Sequence, residues 1–336
     1  MRKRILWLGL SFLLVAVLVL ASCAPAAEEE VPQSRFEGTE IYFFPGGMPG
    51  CPFGSVVYNG AVAAAEDLGI DMKVYWSDWL SEKMVTQFKE AVAAEPDGIA
   101  LMGHPGVEAL RPHIDAAIAK GIIVTTQNVD LPPIEEDYKA KGFGYVGQDL
   151  YASGYLVASE CVKRANLGPG DEGMVWGWLH QPVRGLRTQG PIDALEDAGL
   201  TVDYIQVTDE ASADPLAQVP AIAAYIVSHP GLDVIISDGG GMTLAMQKCL
   251  ESAGVGPDEI IVGGFDICGA TIDAIRAGYV DVVLDQQPYL QGYLPILQIC
   301  LTKYAGFSGL HIDTGAGLVD IGNIDFIAPL AEAGIR

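Results

Sequence analysis

Apolar positions along this chain change period at regular intervals. Val57, Ala61, Ala64 and Leu68 recur three or four residues apart, as one buried face of a helix does. Gly69 follows them, and then a β-rich run over 70–76. Val107, Leu110, Ile114 and Ile118 repeat the pattern, with Gly121 ahead of 122–126. It returns at Gly199, at Gly231 before Val234-Ile235-Ile236, and at Gly278 before 280–284. Glycine suits the left-handed position that closes a helix, and a continuous Val/Ile run fits a strand covered on both faces. Alternating helices and strands predict parallel sheets with right-handed crossovers. Roughly ten such units are more than one compact open sheet holds, so the expected fold class is α/β with two lobes. A closed eight-fold barrel is the competing architecture.

In open α/β sheets, ligands bind beyond the carboxyl ends of the strands. Those ends fall at 45–53, 103–105, Gln127-Asn128, 176–181, 238–241, Phe265-Asp266 and Gln286-Gln287. Asp266 is a candidate acceptor for two adjacent hydroxyls, because a carboxylate only accepts and its bonds are charge-assisted. The equal alternative is a cap for a helix beginning near Ala270. Arg187 opens a helical segment, where a cation gains nothing from the helix dipole, and its rigid fork suits ring and hydroxyl oxygens. The alternative is a solvated arginine. Asn128 and Gln286 each end an apolar strand, and an amide matches hydroxyls whose proton points either way. Phe53 follows the loop Gly46-Gly47-Met48-Pro49-Gly50-Cys51 and is either a face for a sugar ring or part of the core. Trp176 and Trp178 share a face if both lie in a strand, as core or as cleft wall. His104 and Asp238 join the candidates through their strand-end positions. Gly239-Gly240-Gly241 lacks the lysine and spacing of a phosphate-binding loop and reads as a flexible rim.

Composition narrows the function. Half the residues are hydrophobic, enough for a large core, and the formal net charge is −24. Nucleic acid is excluded as a partner, since binding it needs basic surface. The cysteines other than Cys23 are odd in number and form no CxxC pair, and the histidines are scattered, so neither a disulfide framework nor a metal site is expected. No cofactor motif and no GxSxG or HExxH nucleophile or zinc motif is present, so no catalytic residue is assigned. At the start, Arg2, Lys3 and Arg4 precede an apolar run over 5–20, shorter than the roughly 20 residues that span a bilayer as a helix. Leu20-Ala21-Ser22-Cys23 closes it and resembles a bacterial lipoprotein signal. That resemblance implies cleavage after residue 22, lipid attachment at Cys23, and export to a membrane-anchored position facing the periplasm or the cell exterior. Residues 23–38, with their prolines and Glu28-Glu29-Glu30, read as a solvated tether.

From about Glu40 to Asp320 the chain resembles the periplasmic sugar-binding proteins of the ribose-binding type, the ligand-capturing components of ABC importers. The stretches that carry the likeness are Val262-Gly263-Gly264-Phe265-Asp266, Ala274-Ile275-Arg276-Ala277-Gly278, and Asp285-Gln286-Gln287-Pro288-Tyr289 with Gly292-Tyr293. The resemblance implies two Rossmann-like lobes joined by three crossovers near Gln148, Gln286 and Leu318. The first lobe would be 39–147 with 287–317, and the second 148–286 with 318–336. It implies ligand contacts at Phe53, Asn128, Arg187, Asp266 and Gln286. It departs from the family pattern at Cys51, Gly54, Asn128, Val129 and Gly239, which removes charged and aromatic contacts and points away from ribose. The expected function is capture of a sugar or sugar-like polyol by a monomer that hands it to an ABC permease. The alternative is a binding protein for an autoinducer-2-like or sugar signal, handed to a membrane receptor. The fold is shared with sugar-responsive repressors, but those begin with a basic helix-turn-helix and this chain does not.

Overall fold

The computed structural model describes residues 34–336. Cys23, the segment before it and most of the tether lie outside them. The chain alternates strands and helices over most of its length. In order they are β1 (Glu40–Phe44), α1 (Pro52–Leu68), β2 (Asp71–Val74), α2 (Ser81–Ala94), β3 (Gly98–Met102), α3 (Gly106–Ala119), β4 (Ile123–Gln127), α4 (Pro132–Tyr138), β5 (Gly144–Gly147) and α5 (Leu150–Ala165). There follow β6 (Glu172–Gly177), α6 (Leu186–Asp197), β7 (Thr201–Gln206), α7 (Asp209–Ala213), α8 (Val219–Ser228), β8 (Leu232–Ser237), α9 (Gly240–Ala253), β9 (Ile261–Phe265), α10 (Gly269–Arg276) and β10 (Val282–Asp285). The last elements are α11 (Pro288–Ala305), β11 (His311–Asp313), β12 (Gly317–Val319) and α12 (Ile324–Glu332).

The strands form two open sheets of six, which removes the closed barrel from consideration. The first has the order β11-β5-β4-β3-β1-β2 and is parallel throughout. The second has the order β12-β10-β9-β8-β6-β7 and is parallel except for β12, which runs antiparallel to β10 at its edge. Each sheet, with its helices, is one lobe. The pattern of apolar residues explains why. In the second sheet Met174, Trp176, Ile235, Val262 and Val283 enter one core. Val175, Val234, Ile236, Val282 and Leu284 enter another. Successive side chains of a strand point to opposite faces, so a strand clothed on both sides must be apolar at every position. The glycines behave as the pattern predicts at Gly69, Gly121, Gly199 and Gly278, all left-handed. Gly231 is not left-handed. The helix before it ends at Ser228 and is capped by His229, two residues before Gly231.

The chain passes between the sheets three times: after β5 at Gln148, after β10 at Gln286-Gln287, and between β11 and β12 at 314–316. The third passage lies ahead of Leu318, because residues 317–319 already pair with β10. A helix starts at once after the first two. The helix α5 packs on α6, and α11 packs on α1, with glycines at both contacts. A Cβ on Gly154 would overlap the carbonyl oxygen of Arg187, and one on Gly190 that of Tyr151. In the other lobe, a Cβ on Gly60 would overlap the carbonyl of Tyr289, and one on Gly292 that of Val57. Only a residue without a side chain allows backbones this close. Among the described residues no helix is long and apolar enough to cross a membrane.

Candidate functional site

The carboxyl ends of the two sheets face each other across a cavity of about 520 Å³. Asn128, just past β4, holds a left-handed backbone with φ of 65°, a conformation asparagine tolerates better than most residues. Its Nδ2 donates to Gln286 Oε1 at 2.8 Å and to Gln291 Oε1 at 3.1 Å. Gln286 in turn donates through Nε2 to Asp266 Oδ1 at 2.7 Å. One chain of hydrogen bonds thus runs from the first lobe, through the hinge, to the second. Asp266 is also left-handed, with φ of 67°. Its other oxygen accepts from the backbone of Gly240 at 3.2 Å, at the first turn of α9. Neither sequence alternative for Asp266 had included that contact. The helix α10 is capped at Cys268 with no side-chain bond, so Asp266 does not cap it. Instead its charge sits at the positive end of α9. Gly240 permits this, since a Cβ there would lie 2.7 Å from Asp266 Oδ2. The triple glycine is accordingly a helix start and not a flexible rim. Burial pushes the Asp266 carboxyl above its ordinary range, and the nearby Arg187 charge opposes that shift.

Two arginines form the wall of the second lobe. Arg187 and Arg184 are 5 % and 4 % exposed, and Asp238, fully buried, holds both. Arg187 Nε donates to Asp238 Oδ1 at 2.9 Å. Arg184 Nη1 donates to both carboxylate oxygens, at 3.0 and 3.1 Å, and its Nη2 to the Asp238 carbonyl at 2.9 Å. The Thr188 hydroxyl and the Trp178 backbone complete the set. Each guanidinium lies over a ring, Arg187 on Phe265 at 4.7 Å and Arg184 on Trp178 at 4.9 Å. Burial, followed by the charge of Arg187, lowers Arg184 to about 10. Arg187 Nη1 is buried and has no partner.

The first lobe contributes rings. Phe53, at the start of α1, lies 6.1 Å from Trp79, which lies 5.4 Å from His104. Phe53 both lines the cavity and packs on the core, so its two sequence readings hold together. His104 Nδ1 is buried without a partner. Burial, and then the positive charges of Arg184 and Arg187 across the cleft, lower His104 to about 3. It is a neutral imidazole at any ordinary pH.

Of the expected site residues, the structure brings Phe53, His104, Asn128, Arg187, Asp266 and Gln286 to one cavity. Trp176 and Asp238 are not on its wall. Trp176 is fully buried in the core with Met174, because β6 ends at Gly177 and keeps it within the strand. Trp178, beyond that end, lines the cavity. Asp238 stands behind the arginines and positions them. Arg184 was not among the expected contacts, although its spacing three residues before Arg187 on one helical approach was a usable signal. Trp79 was also missed, and nothing in its sequence neighbourhood marks it. Among the described residues all cysteines are free thiols, and no cluster of His, Cys, Asp and Glu could hold a metal ion.

The profile of the periplasmic binding protein domain matches residues 41–300. The chain belongs to the periplasmic binding protein family. It is 31% identical over 259 residues to the xylose/arabinose-binding protein XylF of Sulfolobus acidocaldarius, a match covering 72% of this chain and 61% of that relative's length. A carbohydrate transporter protein of Acidothermus cellulolyticus, solved in complex with myo-inositol, is 25% identical with a TM-score of 0.74, over 89% of this chain and 100% of that one. An ABC transporter solute-binding protein of Burkholderia graminis, solved in complex with D-arabinose, is 22% identical with a TM-score of 0.74, over 86% of this chain and 97% of that one. This last likeness bears on the fold alone.

Proposed function

We propose that this periplasmic binding protein captures a sugar or sugar-like polyol between its lobes and presents it to an ABC importer. The observation that carries the reading is a pair of buried, unpartnered polar atoms, Arg187 Nη1 and His104 Nδ1, on residues that line one cavity from opposite lobes. A buried donor or acceptor without a partner is costly, and a ligand hydroxyl that pairs with each removes the cost. Asp266, Gln286 and Asn128 supply further donors and acceptors beside them. The ligands of the relatives, xylose or arabinose for one and myo-inositol for another, are polyols of the kind this set suits.

The mechanism is capture. Half the site is on each lobe, so a ligand bonded to both favours the closed form by its differential affinity. The closed form is what the permease would recognise. We further propose that the protein is exported and tethered by lipid at Cys23, as a monomer. Mass spectrometry of the membrane-extracted protein tests the anchor, and an unmodified residue 23 would remove it.

Thermal unfolding against pentoses, hexoses, inositols and autoinducer-2 tests the function. A ligand at 1,000 times its Kd stabilises by roughly 4 kcal/mol. A shift with one sugar and not with its epimer is expected. No shift with any of them, in a protein that unfolds cooperatively, would overturn the polyol reading.

A further inference from the structure

We propose that the first lobe rests on the lipid surface through the end nearest the tether, with Tyr304, Phe307 and Leu310 seated among the headgroups. This inference rests on the proposed lipid at Cys23. Helix α11 stops at Ala305, and Gly306 turns the chain with φ of 70°. Residues 307–310 then cross the lobe as irregular chain. The Gly309 amide donates to the Lys139 carbonyl and the Tyr145 amide to the Leu310 carbonyl, both at 2.8 Å, which fixes the segment in place. Tyr304, Phe307 and Leu310 are 59 %, 59 % and 52 % exposed, three large apolar side chains within seven residues.

Two observations choose lipid as the partner. The first is position. The Phe36 ring meets that of Tyr304 edge-on at 5.9 Å and packs on the first core. Phe36 is thirteen residues beyond Cys23. A chain of that length spans at most about 45 Å and, when flexible, averages about 20 Å. An anchor at Cys23 therefore keeps this patch within reach of the bilayer, and a contact made by a tethered group needs little affinity of its own to be populated. The second observation is charge. Lys139 and Lys141, both exposed, lie on the turn that holds Gly309, and Lys303 precedes Tyr304. Asp97 pairs with Lys303 at 2.6 Å and Glu135 with Lys139 at 3.5 Å, and Glu37 is exposed next to Phe36. The patch is thus close to neutral in a chain of net charge −24, and anionic headgroups do not repel it. Aromatic rings at headgroup level, with lysine stems reaching past them, are the composition of a membrane interface.

The test uses the full chain, purified from membranes and returned to vesicles of equal parts brominated phosphatidylcholine and phosphatidylglycerol. A tryptophan is added by Phe307→Trp or, as a control on the second lobe, by Phe326→Trp in α12, where Phe326 is 73 % exposed. An interfacial side chain sits about 5–10 Å into the headgroup and acyl boundary, so the emission added by Phe307→Trp should fall roughly twofold or more against unbrominated vesicles, and that added by Phe326→Trp should not change. Vesicle-bound protein in which neither emission falls, or both fall alike, overturns the inference and leaves the anchor standing. A blue shift of the Phe307→Trp emission without quenching, with dimers on sedimentation, gives this face to a second copy and also overturns it. Protein that does not float with the vesicles overturns both the anchor and the inference.

Discussion

On the second lobe, the charged groups at and behind the cleft wall are bonded within the protein, save for Arg187 Nη1. Asp238 takes bonds from Arg184, Arg187, Thr188 and the Trp178 backbone, and Asp266 takes them from Gln286 and Gly240. On the first lobe the wall is Phe53, Trp79 and His104, which meet ring against ring. Asn128 is its exception, tied to the hinge amides. Directional bonds discriminate between ligands by what they leave unpaired. Ring faces supply area with little penalty for a rotated hydroxyl. On the proposed reading of the site, the second lobe would choose the ligand and the first would cover it.

The largest expected effect comes from removing the anchor of the second wall. Asp238→Ala leaves two buried guanidiniums without a counter-charge, and breaking such a pair costs about 3–5 kcal/mol. Urea unfolding should show a loss of that size; a loss under 1 kcal/mol would mean the arginines find water or another partner. Asp266→Ala and Arg187→Ala should each weaken ligand ten- to a hundredfold, about 1.4–2.7 kcal/mol, in proteins that stay folded. Equal affinity in either variant takes that residue out of the site.

A pH comparison probes the first wall. His104 is held near 3 in the fold, against an ordinary 6.5, by burial and by Arg184 and Arg187. The unfolded chain therefore takes up the proton first as pH falls. Stability carried by neutral His104 is complete above about 6.5 and drains away toward 3, amounting to roughly 2 kcal/mol at pH 5. Asp266, whose carboxyl is raised, works in the opposite direction, so the readout is the difference between His104→Gln and the parent protein. The variant should lose less stability from pH 7 to 5, and parallel losses would sink this account. The smallest effect is Phe53→Ala. A single aromatic contact contributes about 0.5–1.5 kcal/mol, so ligand should weaken only severalfold. If Phe53→Ala matched Asp266→Ala, the division of labour between the walls would be wrong.

Period and glycine position made the alternation of helices and strands legible, and strand ends located most of the expected residues that line the cavity. What stayed hidden depends on contacts between distant segments. Whether Trp176 or Trp178 reaches the cleft turns on β6 ending at Gly177, a boundary that pattern alone does not fix to one residue. Asp238 looked like a ligand contact because its position is right. Only the crowd of donors around it shows that it is occupied. The partner of Asp266 is the start of α9, 26 residues earlier, and no local rule connects the two.

The glycine contacts between helices have a mechanical consequence. Each of the first two passages between lobes runs directly into a helix clamped, backbone to backbone, onto a helix that carries a site residue. These are α5 against α6 with Arg187, and α11 against α1 with Phe53. Clamps of this kind would let each lobe move as a stiff lever, with bending left to the few connecting residues at 148, 286–287 and 314–316. On that view, how long a captured molecule dwells would depend on these clamps as well as on the groups that touch it. Loosening one at Gly292 or Gly154 should show first in the rate of release.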